Sequence, residues 1–115
     1  MQSAQSVQCS HILQKHTGSR NPIVRATGQA VTRTKEEAIA NIRAFMQQCT
    51  SYEKFAQLAQ EHSECGSAAQ GGDLGQFGPG QMQASFEQAA FALQVGQMSD
   101  VVDSDSGIHI IWRTA

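Results

Sequence analysis

A glycine-rich segment, residues 71–82, is the feature that most constrains the fold of this chain. It reads Gly-Gly-Asp-Leu-Gly-Gln-Phe-Gly-Pro-Gly-Gln-Met. Glycine adopts positive φ without steric cost, so the backbone can turn sharply at several points. We therefore expect a hinge that projects a few apolar side chains into one pocket, with a short strand near 75–77.

Two strands that carry histidines are predicted at opposite ends of the chain. Residues 7–13 alternate with the period of a strand, which places His11 on one face with Cys9. Residues 108–113 are mainly apolar and β-branched, which favours a central strand buried on both faces, with His109 and Ile111 on the same side. These strands can bring the two histidines together, where neutral imidazoles can hydrogen-bond to each other. An inward-facing histidine in a small sheet is nevertheless more often a core residue than a catalyst.

Three helices are predicted between these strands. Residues 34–37 and 50–53 each fit a capping box, in which a threonine begins a helix and a glutamate three residues later bonds back to it. A third helix is expected over about 83–93, followed by a short strand at 101–102 and a turn over 103–107. This order predicts one α+β domain, residues 7–115, with helices packed around a small sheet and residues 1–6 as a flexible tail.

The composition is that of a small soluble protein. The chain has 115 residues, 40% of them hydrophobic and 16% charged, which suffices for one core without metals or disulfides. No apolar run approaches the about 18–20 residues that span a bilayer, and the polar N-terminus does not resemble a signal peptide. The three cysteines lack C-x-x-C spacing, which favours reduced thiols in the cytoplasm, the nucleus or both. We expect a monomer without a membrane partner.

Charge is distributed unevenly along the chain. Residues 1–35 carry +5 with no acidic residue, and the remaining residues carry −7. Four of the five cations in residues 1–35 fall in residues 14–33, which contain glycine and proline, show no helical pattern and predict a long loop. The loop could form an anion site, or it could be a solvated loop with chance charges. A pI near 6.0 argues against a nucleic-acid surface.

Taken together, the glycine-rich segment and the two histidine-bearing strands resemble the parvulin family of peptidyl-prolyl cis/trans isomerases, over about residues 7–113. The resemblance implies the parvulin form of the FKBP-like superfold, with a small four-stranded, mostly antiparallel sheet surrounded by about four helices. It also implies rotation about X-Pro bonds without a cofactor, a metal or a covalent intermediate.

The resemblance implies a role for each of several residues. His11 and His109 would pair beneath the active site, Ser104 would extend their hydrogen-bond network, and Cys65 would face the substrate carbonyl and act electrostatically. The pocket for the proline ring would be lined by Leu74, Met82 and Phe86, with Phe77 in support and Gln83 in contact with the substrate backbone. By spacing alone, these apolar residues would be read as ordinary core.

Lys15 and Arg20 match the phosphate-binding loop of Pin-type parvulins, which prefer phosphorylated Ser/Thr-Pro. The implied partners are proteins with phosphorylated or acidic Ser/Thr-Pro motifs, because clustered cations select a phosphate of about −1.5 to −2 charge over neutral groups. Asn21 stands where such members commonly have a second arginine, and we expect a weaker phosphate preference unless Arg25 compensates. With no WW module ahead of the domain, substrate choice is expected to rest on the catalytic domain.

Three alternatives remain open on the sequence. The first is a parvulin that ignores phosphate and accepts Glu-Pro or neutral X-Pro, which Asn21 favours. The second is a module that binds proline-containing peptides without catalysis. The third is a thiol hydrolase or a metal site built on Cys65 and His62, for which an orienting residue is lacking.

Overall fold

The computed structural model describes residues 6–24 and 27–115, which form an α+β domain. The elements are β1 (Val7–Gln14), α1 (Lys35–Gln48), α2 (Tyr52–His62), a 3₁₀ turn (Gly66–Gln70), β2 (Asp73–Phe77), α3 (Ala84–Ala92), β3 (Val102–Ser104) and β4 (Gly107–Arg113). The expected fold class is confirmed, but the described ranges hold three α-helices rather than about four. The remaining helical segment is the short 3₁₀ turn.

The four strands form one antiparallel sheet in the order β2-β1-β4-β3. The two histidine-bearing strands, β1 and β4, are therefore neighbours at its centre, as predicted. In their register His11 pairs with Ile111 and Leu13 pairs with His109. The two histidines thus lie diagonally across the strand pair on one face, where long side chains can meet.

Helices cover both faces of the sheet. On one face α3 packs through Phe86 and Ala90 against Cys9 and Ile111. On the opposite face α1 and α2 pack through Ile42 and Phe55 against the other side of β4. The strand β4 is buried on both sides because its residues alternate between these two cores.

The first predicted helix cap is confirmed and the second is displaced by one residue. The Thr34 hydroxyl accepts the backbone N–H of Glu37, whose carboxylate accepts the N–H of Thr34. In α2 the cap is Ser51, which accepts from Lys54, and the assignment to Thr50 is wrong. Adjacent hydroxyl residues offer equivalent caps, and local sequence does not distinguish them.

The glycine-rich segment turns as expected and also approaches β1 closely. Gly71, Gly72, Gly75 and Gly80 have φ between +68° and +85°. The Gly72 carbonyl accepts the N–H of His11 at 3.0 Å, and a Cβ on Gly72 would lie 2.3 Å from the His11 carbonyl oxygen. A glycine is required there because the hinge backbone lies directly against the histidine that it helps to hold.

A backbone hydrogen bond joins the two ends of the long loop between β1 and α1: the N–H of Thr17 donates to the carbonyl of Arg33. Arg25 and residues 1–5 lie outside the described residues, so the role of Arg25 and the N-terminal tail remain predictions. Within the described ranges, every helix is too short or too polar to cross a lipid bilayer.

Candidate active site

The two histidines form the centre of a buried hydrogen-bonded network. Nδ1 of His11 lies 2.9 Å from Nδ1 of His109, and Nε2 of His109 lies 2.6 Å from the Ser104 hydroxyl. The imidazole rings stack with centroids 5.1 Å apart, and the ring of Phe86 packs edge-on against both. Burial, followed by the effect of His11, lowers the pKa of His109 to about 3. His109 is therefore neutral near pH 7 and can both donate and accept a hydrogen bond.

Cys65 lines the same cavity as His11. Nε2 of His11 is buried and has no hydrogen-bond partner among the described residues. Burial raises the pKa of the Cys65 thiol, but its interaction with His11 and hydrogen bonds with Ser67 outweigh that effect and lower the pKa to about 6. Near pH 7 most of the Cys65 side chain is therefore thiolate, the form that carries negative charge.

One arrangement of protons satisfies the hydrogen bonds that join Ser106, Ser104, His109 and His11. The Ser104 hydroxyl accepts the N–H of Ser106 and can donate to Nε2 of His109. Nδ1–H of His109 then donates to Nδ1 of His11, which leaves the proton of His11 on Nε2, the buried nitrogen without a hydrogen-bond partner among the described residues. The histidines can thus stiffen the site and stabilise a negative charge on Cys65.

An apolar cavity of about 160 Å³ opens above this network. Its lining residues are His11, Cys65, Leu74, Met82, Gln83, Phe86, Ser104, Ser106 and His109. The structure therefore brings together all the residues expected at the proline pocket and the histidine network. Phe77 packs behind the cavity, with its ring 6.0 Å from that of Phe86.

Gln83 anchors one wall of the cavity to the turn between β3 and β4. Its amide nitrogen donates to the Ser106 hydroxyl at 3.0 Å, and its amide oxygen accepts the N–H of Asp105 at 2.8 Å. The backbone N–H of Arg20 donates to the Asp105 carbonyl at 2.7 Å. This turn therefore joins the apolar cavity to the cationic loop, while the expected contact of Gln83 with a substrate backbone stays a prediction.

A second pocket, of about 180 Å³, lies beside the apolar cavity. We call it the cationic pocket; it is lined by Leu13, Lys15, Arg20, Asn21, Glu64, Cys65, Gly66 and Ser106. Cys65 and Ser106 line both pockets and so form their common wall. Arg20 is exposed, whereas Lys15 is buried and donates from Nζ to the Ile23 carbonyl at 2.7 Å.

Sequence reasoning missed two parts of this site. Ser106 was treated only as a turn residue, although it lines both pockets. Glu64 was not singled out in the sequence, although it lines the cationic pocket and forms an ion pair with Arg33. The only local signal for either was its position next to a residue already singled out, Cys65 for Glu64 and Ser104 for Ser106.

His62 has contacts other than Cys65. Its ring stacks on Phe45 with centroids 5.0 Å apart, and its Nε2 lies 3.8 Å from a Glu61 oxygen. Among the residues the structure describes, no group of three His, Cys, Asp or Glu side chains is placed to hold a metal ion. The described contacts of His62 are thus with Phe45 and Glu61, and the groups that lower the pKa of Cys65 are His11 and Ser67.

Comparison with known proteins agrees with this geometry. A rotamase family model, described as the PPIC-type PPIase domain, matches residues 11–115. A peptidyl-prolyl cis-trans isomerase NIMA-interacting 1 of Theileria annulata is 49% identical over 113 residues, covering 95% of this chain and 80% of that protein. Peptidyl-prolyl cis-trans isomerase Pin1 of Arabidopsis thaliana is 45% identical over 119 residues and covers 100% of both. The solved structure of peptidyl-prolyl isomerase ESS1 from Candida albicans superposes with a TM-score of 0.92 at 40% identity, covering 96% of this chain and 63% of that chain.

Proposed function

The chain belongs to the family of PPIC-type peptidyl-prolyl cis-trans isomerases, and from that premise we propose that it prefers prolyl bonds preceded by phosphoserine or phosphothreonine. Its expected isomerase activity is supported by the family match and by the curated relatives. The proposal concerns the residue that precedes proline. It extends to the partners, which would be proteins with phosphorylated Ser/Thr-Pro motifs.

The observation that carries this proposal is the shared wall between the two pockets. The apolar cavity is of a size and character to hold a proline ring. The cationic pocket adjoins it across Cys65 and Ser106 and presents Lys15 and Arg20. A substrate in which an anionic side chain directly precedes proline could fill both pockets at once.

The reaction needs the enzyme to favour a twisted amide over both planar forms. Twisting breaks amide resonance and meets a barrier of about 18–20 kcal/mol in water. In our proposal the apolar cavity fixes the proline ring and the cationic pocket fixes the preceding side chain, so the intervening carbonyl swings past Cys65. Contacts that are stronger in the twisted geometry than in either planar form lower the barrier, and the apolar cavity replaces water that stabilises the planar dipole.

The test is exchange NMR on matched peptides containing pSer-Pro, Glu-Pro and Ala-Pro at one ionic strength. We expect turnover to fall in that order, and we expect Arg20→Gln to lower turnover of the pSer-Pro peptide by about tenfold. Arg43→Gln is the matched control, because Arg43 is an exposed arginine on α1 outside both pockets. Equal turnover of the three peptides by the unaltered protein would contradict the phosphate preference.

A second candidate is an isomerase that accepts Glu-Pro or neutral X-Pro equally well. Asn21 and Glu64 in the cationic pocket, with the Lys15 ammonium bonded to the Ile23 carbonyl, favour this alternative. The same three peptides distinguish it, since it predicts that the phosphate brings no advantage.

A further inference from the structure

The cationic pocket contains a negative charge that an anionic ligand would meet. Of the described residues that line it, Glu64 is the acidic one, beside Lys15 and Arg20. The side chain of Glu64 is only 10% exposed, so solvent and salt screen its charge less than they would on the surface. A phosphate between Lys15 and Arg20 would be repelled by this carboxylate unless a further cation compensated it.

Arg33 lies where that compensation is needed. Its Nη1 is 2.6 Å from Oε1 of Glu64 and 2.9 Å from the carbonyl oxygen of Lys15. The same Glu64 oxygen accepts the backbone N–H of Lys15 at 2.7 Å. Arg33 and Glu64 together therefore hold both backbone polar groups of Lys15.

Arg33 acts from outside the pocket. It does not belong to the lining of the cationic pocket and instead borders a larger groove on the far side of Glu64. Its effect on a ligand would therefore pass through the charge of Glu64 and the position of Lys15. A hydrogen bond between charged groups in such a half-buried place is stronger than one on an open surface.

We propose that Arg33 is a specificity-determining positioning residue: by neutralising Glu64 and fixing the Lys15 backbone, it makes the cationic pocket attractive to a phosphate group. This inference rests on the proposed preference for phosphorylated substrates, whose anion it places in the same pocket. It assigns the discrimination between anionic and neutral residues to a three-residue network, Lys15, Glu64 and Arg33.

Binding of inorganic phosphate, followed by backbone amide NMR shifts around Asn21, tests the charge balance directly. We expect Arg33→Gln to weaken phosphate binding roughly fivefold. The double variant Arg33→Gln with Glu64→Gln should recover to within about twofold of the unaltered protein, because the uncompensated carboxylate is gone. Arg33→Lys should also retain affinity, since a single nitrogen of Arg33 makes both contacts.

Arg43→Gln supplies the control, because it removes one positive charge from the exposed face of α1 without touching the pocket. Thermal denaturation of every variant confirms that each is folded at the temperature of the titration. Phosphate affinity that is unchanged in Arg33→Gln overturns the proposal. A double variant that stays as weak as the single one also overturns it, because the effect would then not pass through Glu64.

Turnover separates failure of this inference from failure of the proposed function. In Arg33→Gln the ratio of pSer-Pro to Ala-Pro turnover should fall roughly fivefold. If the unaltered protein prefers pSer-Pro and this ratio does not change, the role of Arg33 is wrong and the proposed function stands. The unaltered protein could instead show no such preference, while phosphate binding is weakened in Arg33→Gln and restored in the double variant. The proposed function then fails, and Arg33 still controls an anion site.

Discussion

Ionisation of single side chains governs the chemistry available at this site, and Cys65 is the clearest case. The pKa of its thiol is lowered to about 6, whereas burial raises the pKa of Cys9 to about 11 and also raises that of Cys49. The three thiols therefore ionise in different pH ranges. Only the thiolate reacts readily with an alkylating agent.

We predict that the rate at which iodoacetamide alkylates Cys65 rises with pH through a midpoint near 6. Peptide mass spectrometry over a pH series would assign the rate to Cys65 and use Cys9 and Cys49 as internal controls. His11→Gln should move the midpoint upward, because it removes the interaction that lowers the pKa and leaves burial to dominate. A midpoint that is unchanged in this variant would show that His11 does not stabilise the thiolate.

His109 should make the folded protein sensitive to acid. Burial lowers its pKa from 6.5 to about 3, so between these values the unfolded chain binds a proton that the folded protein does not. Stability therefore rises with pH across this window and is lost as the pH falls below 6.5, with a limiting slope of about 1.4 kcal/mol per pH unit. Urea denaturation at several pH values would measure it.

The comparison that isolates this contribution is His109→Asn. Asparagine can place a nitrogen near the position of Nδ1 and bond to His11, but it does not titrate. The variant should lose stability less steeply than the unaltered protein as the pH falls from 6.5. Parallel pH dependence in the two proteins would mean that His109 is not kept neutral by burial.

Among the structural elements, the glycine-rich hinge lies directly against the backbone of a candidate catalytic residue, His11. We predict that Gly72→Ala lowers the free energy of unfolding by more than about 3 kcal/mol, because its Cβ would collide with the His11 carbonyl. Gly75→Ala has a similar positive φ of 73° with nothing within 4 Å of its Cβ, and should cost only about 1–2 kcal/mol. Equal losses in urea denaturation would contradict a steric role for Gly72.

The bounds of the helices and strands show what local sequence can and cannot predict. Elements with a clear periodicity, such as β1 and α3, were predicted nearly to their ends. The 3₁₀ turn at Gly66–Gln70 was missed, because its five residues are too few to show a periodic pattern. The strand predicted near 75–77 begins two residues earlier, at Asp73. Its length is set by pairing with β1 and not by its own sequence.

Contacts between distant parts of the chain were the least predictable. The histidine pair could be expected because both residues lie on strands whose facing is fixed by alternation. The ion pair of Arg33 and Glu64 joins residues 31 positions apart, and Gln83 reaches Asp105 across 22. Neither pair has a spacing that helix or strand geometry relates, so the tertiary fold alone brings them together.

The whole molecule is organised as a sheet that separates the candidate site from a supporting layer. The histidines, the apolar cavity and α3 lie on one face, and α1 and α2 pack on the other. Neighbouring residues of β4 therefore pack on opposite faces of the sheet. Ile111 packs in the core with Phe86, and Ile110 packs against α1 and α2. Stability depends on both layers, whereas the shape of the apolar cavity depends mainly on one.

We predict that Ile110→Val and Ile111→Val each lower the free energy of unfolding by about 0.5–1.5 kcal/mol, because each removes one buried methylene group. Their effects on turnover should differ. The space left by Ile111→Val lies beneath Phe86, so that ring can shift and loosen the cavity wall, whereas Ile110→Val leaves its space on the far face. Urea denaturation and exchange NMR on a prolyl peptide would measure both quantities, and equal loss of turnover at equal loss of stability would show that the sheet does not separate the two layers.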